Sequence, residues 1–342
     1  VDINSYESQN LEYKKRVKEM RVTLKQQTKE HRTIFDLLNE KPRIQYNEVA
    51  EIFGVDIRTA SGRLKDAIER GIIVGPQIRK KSFSNFRTYL YLSRYEDPIE
   101  LFEQYTKNSN VLYHGIADGS FNFHAISKEK LDIEGTILQG IPSDYYISYP
   151  PDRPWGIAID AMHDMVSEFS PETYVPKGHI KTHWDETVEW SRTDEILFQE
   201  FKYNLRKPLE PLVKDKYHIW SGDGYDFLNR LPQCCTISTC YFPETVSAYD
   251  PYLFMFKTEY EDFIIDLFSQ LPTTCWFRKV SDTLLAYIWT LTRPIDRSIT
   301  HVTTIPELHI PLLVRDLIKK GIVKEKACAE IECYWRKEVN NI

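Results

Sequence analysis

Residues 34–78, IFDLLNEKPRIQYNEVAEIFGVDIRTASGRLKDAIERGIIVGPQI, read as three short helices followed by an apolar strand. Ile34, Phe35, Leu37 and Leu38 give the first helix its apolar face. It closes at Lys41-Pro42, because proline disfavours helix in the residue before it. A second helix, Tyr46 to Phe53, stops at Gly54, which tolerates the left-handed backbone of a helix C-terminus. Asp56 offers a carboxylate to cap a third helix, Ile57 to about Arg70. There Ala60, Leu64, Ala67 and Ile68 share one face, and Arg58, Thr59, Ser61, Arg63 and Lys65 share the other. A helix apolar behind and cationic or hydroxylic in front suits the major groove of DNA. The stretch predicts a winged helix-turn-helix in which Arg58, Thr59, Ser61 and Arg63 approach base edges. Lys65 and the wing residues Arg79, Lys80 and Lys81 would neutralise phosphates.

The charge distribution points the same way. The chain has 44 Lys+Arg against 50 Asp+Glu, a formal charge of -6. Residues 1–94 reverse that balance with 19 Lys+Arg against 12 Asp+Glu, and the acidic excess lies beyond them. Phosphate binding responds to the field within a Debye length, so the local excess is the relevant one.

A chain of 342 residues suits several compact units, and a hydrophobic fraction of 42% supplies their cores. No apolar run is long enough to span a bilayer and the N-terminus is polar, so a cytoplasmic protein with no membrane partner is expected. The six cysteines lack the paired CxxC spacing of a zinc site and are expected to be reduced.

Residues 1–30 predict an arm helix with Leu11, Val17, Met20 and Leu24 on a thin apolar stripe, ahead of the helix-turn-helix at 31–82. Period-2 patterning follows. FRTYLYLS is a strand, Asp97-Pro98 opens a helix, and VLYHGIA and FNFHAIS form a hairpin about Asp118-Gly119. That order over 83–150 matches the start of a βαββαβ, ferredoxin-like unit, with Asp144 to Tyr149 as a candidate last strand. Residues 151–191 form a proline-rich connector containing a short helix near Trp155 to Phe169. The pattern then repeats, with a degenerate helical module at 192–245 and a second ferredoxin-like unit at 246–342. The third helix of that second module, SGDGYDFLNRLP, is acidic and would repel phosphate. The fold class expected is α+β: winged helix-turn-helix plus ferredoxin-like βαββαβ domain, the pair repeated.

Three segments, Arg43 to Ala50, Arg58 to Leu64 and Glu69 to Ile73, resemble the Lrp/AsnC (feast/famine) transcription regulators, met mostly in archaea and bacteria. The resemblance implies a DNA-binding head joined to a ligand-sensing, RAM-like domain. It also implies double-stranded DNA as partner and self-association as a homodimer or higher oligomer. Two such units in tandem would build part of a family dimer within one polypeptide. Family sensor domains often carry a Gly-x-Tyr/Phe-Asp turn near the effector cleft. Gly119-Ser120-Phe121-Asn122 matches it with Asn for Asp, so Gly119, Phe121 and Asn122 are the implied small-molecule effector residues. In the second copy Ser281-Asp282 occupies the turn and the glycine is absent.

Other chemistry is weaker. His179 and His183 have one-turn spacing beside Asp185 and Glu186, but no third metal ligand is fixed by spacing. His114 and His124 lie on adjoining strands, where such residues are usually half-buried. Siroheme decarboxylases resemble Lrp/AsnC proteins in fold and use histidine near a tetrapyrrole, so an enzyme on this scaffold is a rival to the regulator. An architectural DNA-binding protein is a third class. Without P-loop, GxGxxG, HExxH or nucleophile elbow, the sequence predicts a sequence-specific transcription regulator with no catalytic residue, metal or cofactor, and not an enzyme.

Overall fold

The computed structural model describes residues 24–291 and 309–336. Most of the expected arm helix lies outside these residues; Leu24 already belongs to the first helix of the winged module.

That module comprises α1 (Leu24–Glu40), α2 (Tyr46–Phe53), α3 (Ile57–Glu69) and β1 (Ile73–Lys80). Its boundaries follow local chemistry. Gln45 and Glu48 form a capping box before α2, and Gly54 ends it at φ 61°. The Asp56 carboxylate accepts the Thr59 amide at 2.9 Å at the start of α3. Ile34, Phe35, Leu38, Leu64 and Ala67 fill the core, joined by Tyr241 from far along the chain.

Strands β2 (Tyr89–Ser93), β3 (Val111–Gly119), β4 (Phe123–Ser127) and β5 (Thr136–Gly140), with α4 (Pro98–Thr106), make the first half of the large sheet. Their order β5-β2-β4-β3 is the ferredoxin-like arrangement of first, second, third and fourth strands. The second helix of a βαββαβ unit is missing. Residues 128–135 cross without a helix, and Leu131 and Ile133 cover the sheet in its place. The last strand is therefore β5, not residues 144–149. Within 144–149, β6 (Tyr146–Ile147) pairs with a strand of the other half. After β6 comes α5 (Trp155–Glu168), inside the proline-rich region.

The second helical module contains α6 (Arg192–Phe201), a π-helical turn at Pro211–Lys216 and α7 (Ser221–Cys234), which runs directly into β7 (Cys235–Tyr241). CCTISTCYF thus forms one strand rather than a strand pair, and its partner is β1 of the first module. The second half of the large sheet is a complete βαββαβ unit. It comprises β8 (Tyr249–Lys257), α8 (Glu261–Phe268), β9 (Trp276–Val280), β10 (Thr283–Leu291), α9 (His309–Lys319) and β11 (Glu325–Arg336).

The halves join edge to edge through antiparallel β3 and β11, giving the nine-stranded order β5-β2-β4-β3-β11-β8-β10-β9-β6 among the described residues. The outer edges approach each other as well. Pro142 bridges Val280, and Gly140 lies against Val280 and Ser281. The sheet therefore curls, and Leu90, Leu92, Phe121, Leu253, Val280 and Leu285 from both halves share one inner core. Its outer face is covered by α4, and by α5, α8 and α9, whose Ile159, Met162, Ile264, Leu267, Leu313 and Leu317 pack together. No helix of the described residues is long and apolar enough to cross a membrane.

Candidate functional site: a cationic, aromatic cavity

The β1–β7 ladder and the inward face of the curled sheet enclose a cavity of about 1310 Å³. Ligand sites for drug-sized molecules typically occupy about 300–1,000 Å³, so this one is macrocycle-sized. Its wall contains seven cations against two carboxylates, Glu195 and Glu332, among the described residues. Twelve aromatic rings line the same space, and a wall of this kind attracts a flat, polyanionic ligand.

On the ladder side, strand β1 turns its wing cations into this space. Arg79 donates to the carbonyls of Ile78 and Lys202 and to Gln77, and its guanidinium lies between the rings of Tyr203 (5.2 Å) and Trp276 (5.6 Å). Lys80 pairs with Glu195 inside a cage of Phe86, Trp190 and Phe198, each 4.5–4.9 Å away. Burial lowers the Lys80 pKa and outweighs the opposing pull of Glu195. Lys81 donates to the Pro232 carbonyl at 2.7 Å.

On the sheet side the floor is built from both halves. In the first, His124 pairs across the strands with Gly115. A Cβ built on Gly115 would lie 2.5 Å from His124 Cε1, so the imidazole occupies the room that the glycine leaves. Neither ring nitrogen of His124 has a hydrogen-bond partner among the described residues, and burial pushes its pKa down to about 3. A buried polar group left without a partner costs about 1–3 kcal/mol, a cost that a functional site tolerates. Beside it Tyr113 stacks on Tyr334 and hydrogen-bonds Tyr287, and burial raises both phenols of that pair well above their ordinary range.

In the second half, Arg278 and Leu285 form the cross-strand pair that corresponds to Gly115 and His124, counted from the hairpin turn. Arg278 donates to no carboxylate among the described residues. It donates to the Tyr145 hydroxyl at 2.9 Å and to the Ser143 carbonyl at 3.4 Å, leaving Nε without a partner. A guanidinium so held against the ring of Tyr145 is a ready anchor for a ligand carboxylate.

The residues expected from the sequence are divided between two places. Arg58 and Lys65 are exposed on α3, facing away from its buried Ala60, Leu64 and Ala67. Thr59 spends its hydroxyl on Asp56 at 2.6 Å, and Ser61 is half-buried. Arg63 pairs with Glu30 of α1 at 2.9 Å and covers the Phe53 ring. Arg79, Lys80 and Lys81 line the cavity, so they do not continue the α3 surface as a wing; the ladder with β7 turns them inward.

Gly119, Phe121 and Asn122 do not line the cavity. Phe121 is fully buried, and Asn122 closes the turn onto the Tyr95 backbone through bonds of 2.9 and 2.7 Å. His114 faces the opposite side of the sheet from His124, beneath Phe102 of α4, with Nε2 3.0 Å from the Phe102 carbonyl. His179 and His183 are held by different carboxylates, Asp266 at 2.9 Å and Asp144 at 3.0 Å, and so do not converge.

Sequence reasoning missed Arg278, Tyr113, Tyr145 and Tyr287. One local signal was available: Gly115 in mid-strand, where glycine costs stability unless something approaches closely.

Residues 31–74 match a family model described as winged helix-turn-helix DNA-binding. No curated protein matches the chain. Among solved structures, the chain is similar to a crystal structure of the siroheme decarboxylase NirDL, with a TM-score of 0.48 and 10% identity over 90% of this chain and 93% of that one. The same enzyme in co-complex with an iron-uroporphyrin III analogue gives a TM-score of 0.43 and 9% identity, with the same coverage. The expectation that the chain is not an enzyme is corrected by this finding, because the solved structures that align with nine-tenths of it are of an enzyme. The N-terminal winged helix-turn-helix and the mixed helix-and-strand region after it agree with the expected fold class.

Proposed function

We propose that this chain is an enzyme that binds a flat, polycarboxylated macrocycle of the siroheme class and removes carboxylate from it as CO2. The observation that carries the reading is the composition of the cavity: an excess of cations, many aromatic faces and an unpartnered imidazole in one macrocycle-sized space. The names of the similar solved structures suggest the substrate class; the chemistry comes from the residues.

In this reading Arg278, Arg79 and Lys81 hold ligand carboxylates, and Trp276, Tyr203 and Trp289 face the ring. Loss of CO2 breaks the carbon–carboxylate bond and leaves its electron pair on the ligand carbon, which must then take a proton. His124 is the proposed donor. It is neutral in the empty site, and the negative charge of a docked polycarboxylate favours its protonated form. The proton taken from solvent on docking is the one delivered to carbon. Tyr113, which packs on the imidazole, and its partner Tyr287 stay protonated through neutral pH.

The test is incubation of the purified chain with siroheme, followed by mass spectrometry. Products lighter by one or more CO2, formed only with the protein, are expected. Unchanged siroheme, together with no perturbation of its visible spectrum on mixing, overturns the reading.

A second reading rests on a separate observation, the match of residues 31–74 together with the exposure of Arg58 and Lys65. It is that α3 binds duplex DNA and that the scaffold is of the Lrp/AsnC type, with RAM-like halves. The pairing that this family makes between subunits would then be made within one chain, through the β1–β7 and β3–β11 ladders. Arg58, Thr59, Ser61 and Lys65 are its proposed contacts. Arg63 joins them only by giving up Glu30.

A further inference from the structure

We propose that Gly115 is a positioning residue: its missing side chain forms a notch that seats the His124 imidazole flush with the cavity floor, so that a flat ligand can lie over it. The inference builds on the macrocycle reading above but has a geometric basis of its own.

Three observations carry it. Gly115 has no positive φ, so the backbone does not require glycine there. Glycine in a strand interior forfeits packing and conformational entropy, and its presence marks a close approach by another group. Here that group is His124, whose Cε1 and Nε2 would lie 2.5 and 2.9 Å from a Cβ at 115. The carbonyl of Cys333 on β11 lies 2.5 Å from the same point, so an added side chain could not move aside towards β11. The ring it displaced would have to rise into the cavity. The corresponding position in the other half, Arg278, carries a long side chain and pairs across the strands with Leu285. The notch therefore belongs to one half of the floor and fixes which half presents the imidazole.

Tyr113 on β3 packs on the ring, Leu92 on β2 is its cross-strand neighbour, and Tyr334 on β11 stacks on Tyr113. The Tyr113 phenol stays neutral, and His114, whose charge acts on the ring, lowers its pKa further and so does not hold it charged. The seat is steric.

The experiment compares Gly115→Ala, Gly115→Ala/His124→Ala and His124→Phe with the parent chain, using iron-uroporphyrin III as an absorbance probe and the imidazole C2–H proton signal as a function of pH. Gly115→Ala should weaken probe binding by about tenfold or more, the scale of overpacking by one methyl. Its His124 should titrate closer to ordinary histidine, as a ring lifted into the cavity becomes hydrated. Removing the ring in the double variant should restore probe binding. His124→Phe, which fills the same notch without nitrogens, should bind the probe more tightly than Gly115→Ala and lose turnover of siroheme.

A double variant that binds no better than Gly115→Ala overturns the proposal, because the damage would then lie in the β3–β11 contact. Should Gly115→Ala fail to fold, the parent chain decides: a His124 signal that titrates as an ordinary, hydrated histidine overturns a ring seated in the notch. Should the parent not bind the probe, the macrocycle reading fails. The His124 titration still decides the notch, and an unmoved signal in Gly115→Ala overturns it.

Discussion

The two halves of the large sheet share a strand order but use one inward cross-strand position differently. In the first half that pair is Gly115 and His124; in the second it is Arg278 and Leu285. A symmetric pair of halves would place two imidazoles or two guanidiniums in the floor. In the proposed reading the two halves contribute differently, one a ring that can move a proton and the other a fixed positive charge. The copies differ in structural completeness too. The arginine half keeps both helices of its unit, while the imidazole half has lost its second helix.

The widest break in this comparison should come from replacing the two residues separately. His124→Gln should lower kcat on siroheme by about 10²–10⁴-fold, the usual contribution of a positioned acid or base, with little change in KM. Arg278→Gln should act mainly on binding. Truncating one side of a buried charge pair costs about 2–5 kcal/mol, expected here as a raised KM and a weaker iron-uroporphyrin III complex. Steady-state kinetics and an absorbance titration separate the two. Equal losses in kcat and KM from both variants would remove the division of labour between the halves.

What was legible in the sequence follows the range of the interactions involved. The winged module could be read because its punctuation is local: Asp56 caps a helix three residues away, and Gly54 ends the one before. The second ferredoxin-like unit could be read because its alternation and its β9–β10 hairpin lie close in sequence. The ladders that make the cavity join residues far apart, such as Gln77 with Ser238 and Tyr334 with Gly115, and no local pattern specifies such pairs. For the same reason Arg79-Lys80-Lys81 looked like an outward wing. Charge alone does not tell a cation facing solvent from one facing a cavity, and the partner strand β7 decides it.

The two helical modules offer a second contrast, with smaller effects. The second is fastened by a buried carboxylate. Glu200 accepts from Lys207 at 3.2 Å, Lys216 at 2.5 Å and Tyr217 at 2.6 Å. Burial alone would raise its pKa, but these donors together hold it down at about 2. A folded-state pKa below the unfolded value stabilises the protein above about pH 4.5, and that stabilisation is lost as pH falls towards about 2. The lysines are partly exposed, which screens the pair, so Glu200→Gln should cost about 2 kcal/mol at pH 7. Urea unfolding at pH 7 and pH 3 checks it: the gap between the two proteins should narrow at pH 3, where the unfolded-state carboxylate is protonated, and close only as pH approaches about 2. A constant gap would assign the effect to packing rather than to charge.

The first module leaves its cations at the surface, and the smallest effects are expected there. Arg58 is exposed, whereas Arg63 is tied to Glu30 across to α1. If α3 reads duplex DNA, Arg58→Ala should weaken binding by about 1 kcal/mol without changing thermal stability, because no internal contact is lost. Arg63→Ala should do the reverse: it removes a half-buried pair within the module, lowering stability by about 0.5 kcal/mol, and takes little from DNA binding because Glu30 already holds its guanidinium. Fluorescence anisotropy on a duplex across a salt series, paired with thermal melts of the same variants, separates these outcomes. Should Arg63→Ala weaken DNA binding as much as Arg58→Ala, the Glu30 pair must open when DNA binds. The first module would then have to rearrange before it could read a base, which the second, fastened by Glu200, could not do.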